Sequence, residues 1–251
     1  MRLALMLVSC ALISVGLAYP AIAVDQAPYF CFGEQAQAVL DSLEHGKSPD
    51  TMTMVVLAHN ITFKNRDKKM REKAEKLLEK WAKHDTSTLV EAYLGSVQMI
   101  KVRDKGKIVN GLKIVGSIFG GESPYMTARK AFGRISQAVK DDPNNLILRF
   151  LRSTAAVESA EYLPELLAVA REDLQYLNAQ VLSDDTVGCF FLWLTWAKYY
   201  HNPYLAIDDP NAQILAEHYI CAAWELAHQS ARSPDYQAEA DRWERKIFFK
   251  E

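Results

Sequence analysis

The feature that most constrains the fold is a dipeptide that marks helix starts along the chain. A Ser or Asp is followed directly by Pro at Ser48-Pro49, Ser123-Pro124, Asp142-Pro143, Asp209-Pro210 and Ser233-Pro234. The Ser or Asp side chain can accept a hydrogen bond from a first-turn N–H that lacks a partner in the helix. Pro suits the next position because its φ is already helical and its missing N–H is not needed there. Each dipeptide therefore predicts a helix start.

Other start signals fill the intervals between these dipeptides. Pro164 stands before Glu165, Thr88-x-x-Glu91 has the capping-box spacing, and Asp184-Asp185 precedes an apolar run. Together the signals are spaced about 20 residues apart, which indicates a repeated unit of one helix and one short loop. The predicted starts lie near residues 33, 48, 66, 86, 106, 124, 143, 164, 186, 210 and 234.

The apolar residues between the starts recur with the helical period. One face of a predicted helix, for example, carries Met70, Ala74, Leu77, Leu78 and Trp81. No run of strict apolar–polar alternation predicts a strand. Short loops between helices of about 15 residues make neighbours antiparallel, and pairs recurring about every 40 residues are typical of an α-solenoid. The sequence therefore predicts an all-α fold of antiparallel helical hairpins stacked as an irregular solenoid.

One stretch resembles the tetratricopeptide repeat. The spacing Ala131-x-x-x-Ile135-x-x-Ala138-x-x-x-x-Pro143 is similar to the second helix of that family, with Ile135 where the family prefers Phe. Residues 142–145 are similar to the turn between its repeats. The resemblance covers about one repeat. It implies a tetratricopeptide-like scaffold that binds a protein or peptide partner in a groove.

Two arginines in the next segment are the candidate binding residues. Arg149 and Arg152 stand where the family pattern has an aromatic residue and Leu, away from the apolar side of their predicted helix. First helices of a solenoid line its concave face, where two guanidinium groups could hold a carboxylate such as a peptide terminus. The alternative is an exposed surface whose arginines form salt bridges.

The first 23 residues predict a secretory signal. Arg2 is followed by an apolar stretch from Leu3 to Val15, and Pro20 precedes the small-x-small pattern Ala21-Ile22-Ala23. The sequence thus predicts a signal peptide over 1–23 and a single helical-repeat domain over 24–251, periplasmic or secreted. An uncleaved anchor and lipidation of Cys10 are the alternatives. No segment of the mature chain is long and apolar enough to predict a membrane span.

Charge and motifs argue against several functions. The formal net charge of −2 predicts no attraction to nucleic acid. The Glu225-x-x-His228 spacing occurs once, whereas a di-iron bundle requires two copies and two further Glu. The sequence has neither the His-Glu-x-x-His of zinc proteases nor the Gly-x-Ser-x-Gly of hydrolases. We therefore predict no catalytic residue, no metal and no cofactor.

The segment from 188 to 204 is rich in aromatic residues. A helix that is apolar all round is normally buried, so core packing is the first interpretation. The alternative function is a cavity near residues 190–204 that binds a small or lipid-like ligand. If 186–201 and 210–228 form a hairpin, Cys189 and Cys221 lie nearly level, and they are the candidate disulfide, which requires Cα atoms within about 7 Å.

Overall fold

The structure, a computed structural model, describes residues 68–83, 87–109, 124–160, 163–181, 186–229 and 234–249. Within these ranges all regular secondary structure is α-helical, which confirms the predicted all-α class. The nine helices of the described ranges are α1 Lys68–Ala82, α2 Thr88–Val109, α3 Pro124–Asp141, α4 Leu146–Ser159, α5 Leu166–Gln180, α6 Thr186–Tyr200, α7 Pro203–Asp208, α8 Ala212–Gln229 and α9 Pro234–Phe249.

The chain divides into two compact units at Ala155 and Ala156. In the first unit, α2 packs against α1 and α3. In the second unit, α6 packs against α5 and α8, α8 packs against α9, and the short α7 contacts both α6 and α8. The predicted signal over 1–23 lies outside the described residues, and the single domain over 24–251 stays a prediction.

Most predicted helix starts are correct to within two residues. This holds for α1, α2, α3, α5, α6, α8 and α9, whereas α4 begins three residues after the predicted position. The start predicted near residue 106 is wrong, because α2 continues without a break to Val109. The starts predicted near 33 and 48 lie outside the described residues.

The capping residues differ from two of the predicted ones. At α4 the side chain of Asn145 accepts the N–H groups of Ile147 at 3.1 Å and Leu148 at 3.3 Å. The Asp142-Pro143 step therefore forms the preceding turn and not the cap itself. At α2 the Ser87 hydroxyl accepts the N–H of Val90 at 3.3 Å, so the cap is one residue before the predicted Thr88.

Helix α7 was not predicted, although it carries the same kind of signal. Asn202 precedes Pro203, and the Asn202 side chain accepts the N–H of Tyr204 at 3.1 Å. Asn caps helices as well as Ser and Asp do. A search that admitted Asn-Pro would have found this helix between α6 and α8.

Helices α2 and α3 approach each other through small residues. A Cβ atom added at Gly95 would lie 2.6 Å from the carbonyl oxygen of Ala131 and 2.9 Å from Cγ1 of Ile135. Glycine at this position therefore lets the two backbones come close, since no side chain separates them. Ala131, Ile135 and Ala138 are all buried, as a packed helix face requires.

The same spacing recurs in the second unit. Helix α8 carries Ala216-x-x-x-Ile220-x-x-Ala223, which repeats the small-x-x-x-Ile-x-x-small order of α3. All three residues are fully buried and belong to one hydrophobic cluster with Ala197 and Leu194 of α6. Each unit therefore contains a helix pair whose second helix presents the same buried pattern.

Candidate functional site

The two candidate binding arginines lie on α4 and are largely covered. The exposed fraction is 9% for Arg149 and 8% for Arg152. The sequence predicted that both would lie away from the apolar side of the helix, where a larger exposed fraction is expected. Nε of Arg149 donates to the carbonyl oxygen of Pro143 at 2.7 Å, across the turn that precedes α4. The apolar stem of an arginine can lie along a helix surface while its head group finds polar partners. Carboxylate binding by the pair stays a prediction.

The candidate disulfide partners lie on helices that pack together. Cys189 is buried on α6 and Cys221 is half-buried on α8, and both are thiols in the structure. The bridge between them stays a prediction, which non-reducing mass mapping of the exported chain would test.

Four rings at the end of α6 and the middle of α8 form what we call the aromatic cluster, made of Trp196, Tyr199, Tyr200 and Tyr219. The Trp196 ring is nearly parallel to those of Tyr200 and Tyr219, with centroids 5.4 Å and 5.7 Å away. Tyr199 meets Trp196 edge-on at 5.4 Å. Such offset and edge-on arrangements are the favourable ones for aromatic pairs. The four rings therefore contact one another, and Tyr200 and Tyr219 also pack against the hydrophobic cluster of the second unit.

Burial of this cluster changes the chemistry of its hydroxyl groups. The pKa values of Tyr199, Tyr200 and Tyr219 are raised above the ordinary 10.0, because burial penalises the charged phenolate. The positive charge of Arg171 on α5 opposes the rise at Tyr199 and Tyr200. The tyrosines are therefore neutral hydrogen-bonding groups at neutral pH, and none is poised as a base.

The indole N–H of Trp196 is the polar group of this cluster that stands out. It is fully buried and meets no hydrogen-bond acceptor in the described part of the chain. A buried donor left without an acceptor costs about 1–3 kcal/mol.

A buried lysine of the second unit contacts residues of α4 and α9, of which α4 belongs to this unit only through its last turn. Nζ of Lys198 on α6 lies 3.2 Å from Oε1 of Glu158 on α4 and 3.5 Å from Oε1 of Glu239 on α9. The ammonium group also lies 5.0 Å from the centre of the Trp243 ring, and the indole N–H of Trp243 donates to Glu239. A buried ammonium requires such compensation. We call this group the lysine site.

The histidine of the Glu225-x-x-His228 spacing contacts the neighbouring helix α9. On α8 the His228 ring stacks on Trp224 at 3.9 Å, and its Nε2 lies 3.4 Å from Oδ1 of Asp241 on α9. Oδ1 of Asp241 also accepts the indole N–H of Trp224 at 2.8 Å. Among the described residues no group of three or more His, Cys, Asp or Glu is placed to hold a metal ion. The histidine and the aspartate therefore fasten α8 to α9.

An exposed apolar surface lies where α7 leads into α8. Ile207 is 81% exposed and Ile214 is 64% exposed, and Tyr204, one turn before Ile207 on α7, is exposed as well. Only the three residues 209–211 separate α7 from α8. We call Tyr204, Ile207 and Ile214 the apolar edge. Sequence reasoning missed it because α7 itself was missed.

No protein family, curated protein or solved structure matches this chain. No helix in the described ranges is both long enough and apolar enough to span a bilayer. The functional interpretation therefore depends on the residues and their geometry.

Proposed function

We propose that this chain is an exported, non-catalytic helical-repeat scaffold that binds a protein or peptide partner. The finer fold prediction, a tetratricopeptide-like array of antiparallel hairpins, is part of the proposal. The observation that carries it is the recurrence of one buried spacing, small-x-x-x-Ile-x-x-small, on α3 and α8. Repeat proteins of this kind use each helix pair as one unit of a scaffold.

The partner helices support the same interpretation. The family's first helix follows the pattern Trp-x-x-Leu-Gly-x-x-Tyr. On α6 the sequence Trp193-x-x-Trp196-Ala197-x-x-Tyr200 keeps the Trp, a small residue and the Tyr at that spacing. On α2 the Leu–Gly pair is present as Leu94-Gly95, and Gly95 is the residue that approaches Ala131. Each first helix thus keeps a different part of the pattern.

Insertions explain why the resemblance is weak in the sequence alone. In the second unit α7 stands between the two helices of the pair, and in the first unit residues 110–123 stand between α2 and α3. An insertion between the two helices of a repeat shifts its period without changing which faces pack. A search for an even period of about 34 residues therefore overlooks both pairs.

The chemistry of the described residues supports binding more than catalysis. The carboxylates of the lysine site face an ammonium group, and the raised pKa of each clustered tyrosine keeps it neutral at neutral pH. Neither arrangement supplies a base poised near neutral pH, as general acid–base catalysis requires. Shape and polar complementarity to a partner require no such group.

Capture of a partner tests the proposed function. We expect a tagged chain, crosslinked in cells of its source and purified, to carry a second protein in constant ratio. The Ile220→Asp variant serves as the control, because a charge at this fully buried position of α8 disrupts the helix pair and removes the partner. Recovery of the folded wild-type chain alone would contradict the proposal. N-terminal sequencing tests export: a mature chain that begins near Val24 is expected.

One observation supports the alternative function, a small or lipid-like ligand bound near residues 190–204. The buried Trp196 N–H, which lacks an acceptor among the described residues, is a donor that a ligand could use. Thermal unfolding with lipid extracts tests this alternative, since a ligand that binds the native state raises the melting temperature. An unchanged melting temperature would exclude it.

A further inference from the structure

The two nitrogen atoms of the His228 ring both face oxygen atoms. Nδ1 lies 2.9 Å from the carbonyl oxygen of Trp224, and Nε2 lies 3.4 Å from Oδ1 of Asp241. A carbonyl and an ionised carboxylate only accept hydrogen bonds, whereas a neutral imidazole has one N–H and one nitrogen lone pair. Either neutral tautomer therefore turns a lone pair toward an oxygen. The imidazolium cation is the form that donates to both.

Two further contacts favour the cation at this position. His228 lies in the last turn of α8, where the helix dipole attracts positive charge. Its ring stacks on the indole of Trp224 at 3.9 Å, with an angle of 21° between the planes, and an aromatic face attracts a cation. The histidine side chain is 29% exposed, so water offsets part of the cost of holding the charge.

The helices other than α9 bring few charges toward this ring. On α8 the nearest charged residue in the sequence is Glu225, which is negative and also favours the cation. Helix α6 carries a thiol, Cys189, in its first turn and one charged residue, Lys198, whose ammonium group faces the carboxylates of the lysine site. Helix α7 carries one charged residue, Asp208, which lies just before the opposite end of α8.

On α9 the charge that meets His228 is Asp241. In the described ranges no other titratable side chain of this helix forms an ion pair with His228 or with Asp241. The others described on α9 are Tyr236, Glu239, Arg242, Glu244, Arg245 and Lys246.

We propose that His228 and Asp241 form a proton-controlled fastening between α8 and α9. The imidazolium holds the carboxylate that also accepts the indole N–H of Trp224 at 2.8 Å. Loss of one proton makes one of the two ring contacts repulsive, so α9 opens locally from α8 more often. Because the charge of histidine changes between pH 5 and 8, the fastening responds to the pH around the protein. The inference does not depend on the proposed partner.

Local opening of α9 affects the helix pair beneath it. Ala240 and Ile247 of α9 belong to the same hydrophobic cluster as Ala223 and Ala227 of α8. When α9 leaves, this buried face of α8 is uncovered. The fastening therefore controls how well the α6–α8 pair is covered.

Hydrogen exchange at the amides of α9 tests the fastening, because exchange measures how often a segment opens locally. Protection factors, which remove the intrinsic pH dependence of exchange, are compared at about pH 5.5 and about pH 8. We expect α9 to be about fivefold better protected at the acidic pH, as a partly exposed ion pair allows. Helix α3 of the first unit is the internal control and should be equally protected at both.

Three variants locate the effect. The side chain of His228→Gln has no charge to lose, so its α9 protection should be low and equal at both pH values. Asp241→Asn keeps an oxygen that can accept the Trp224 N–H but removes the carboxylate, so most of the pH dependence should disappear. His201→Gln is the matched control. His201 also contacts α9, edge-on to Trp243 at 6.3 Å, and its replacement should leave the pH dependence as in wild type.

Nitrogen NMR of the His228 ring gives a second measurement that requires no variant. At the acidic pH both ring nitrogens should carry protons, and loss of one proton should follow the same pH course as loss of α9 protection. Three results would each overturn the inference: a neutral His228 ring at the acidic pH, equal α9 protection at both pH values in wild type, or an undiminished pH dependence in His228→Gln.

Discussion

The helix pairs α2–α3 and α6–α8 share one spacing but use it in different ways. In α2–α3 the missing side chain of Gly95 lets the backbones approach, and a Cβ there would collide with the carbonyl oxygen of Ala131. In α6–α8 the corresponding small residue is Ala197, and the neighbouring space is filled by the aromatic cluster. The same pattern of small residues therefore supports either close backbone contact or dense packing of rings.

The ion pair within α2–α3 is shorter but more exposed than the ion pair that Lys198 of α6 forms with Glu158 of α4. Arg134 of α3 lies 2.7 Å from Glu91 of α2, with side chains 43% and 38% exposed. Lys198 lies 3.2 Å from Glu158, with side chains 6% and 14% exposed. Exposed pairs contribute about 0–1 kcal/mol, whereas removing one partner of a buried pair costs about 3–5 kcal/mol. We therefore expect the buried ion pair to contribute more to the free energy of unfolding than the shorter, exposed one.

Replacement of Lys198 by Met should give the largest effect. It removes the ammonium group that faces the largely buried carboxylates of Glu158 and Glu239, although Glu239 keeps Arg242 at 3.5 Å. Loss of this buried ion pair should lower the free energy of unfolding by about 3–5 kcal/mol. Arg134→Met in the other helix pair is the matched control, and it should change stability by less than about 1 kcal/mol. Urea unfolding followed by circular dichroism measures both values. Equal losses for the two variants would refute the ranking by burial.

Close approach in α2–α3 is tested by Gly95→Ala. The added Cβ requires the helices to separate, and such overpacking costs about 1–3 kcal/mol, even though Ala favours helix by up to about 1 kcal/mol over Gly. Gly133→Ala on α3 is the matched control, because a Cβ there meets no atom within 4 Å. The control should gain about 0.5–1 kcal/mol. A stabilising Gly95→Ala change would show that the two backbones do not approach as described.

A smaller effect distinguishes the predicted cap of α4 from the observed one. Asn145→Ala removes the acceptor for two first-turn N–H groups and should cost about 1 kcal/mol. Asp142→Ala removes only the hydrogen bond from the Asn145 side chain at 3.0 Å and should cost less. Thermal unfolding of the two variants compares them. A larger loss for Asp142→Ala would restore the cap that the sequence predicted.

The sequence predicts helices well here because caps and apolar periods are local. Pro124 and Pro234 begin helices as their signals require, and Asn202 would have marked α7 under a wider definition of the same signal. Contacts between residues far apart in the sequence are harder to predict. Nothing in the sequence states that Lys198 meets Glu158, forty residues away, or that Gly95 faces Ala131. The apolar edge was not predicted because the helical period of apolar residues does not tell which of them stay exposed.

The aromatic cluster predicts a difference in pH dependence between the two helix pairs. We expect the stability of α6–α8 to fall at alkaline pH, where its buried tyrosines ionise. Burial raises the pKa of Tyr199, Tyr200 and Tyr219 above 10.0. The unfolded chain therefore releases these protons at a lower pH than the folded chain does. The resulting stability is fully present below about pH 10 and is lost as the pH rises through the folded pKa values.

The Tyr200→Phe/Tyr219→Phe variant lacks two of these phenol groups. Its free energy of unfolding should therefore fall less steeply than that of the wild type above pH 10. Tyr125→Phe, at an exposed ring of the first unit, controls for loss of a hydroxyl. Absorbance of the phenolate during titration, with urea unfolding at each pH, measures both effects. If the alkaline loss has the same slope in wild type and in the double variant, other groups cause it. The stacking in α6–α8 would then contribute by packing alone, as the small residues of α2–α3 do.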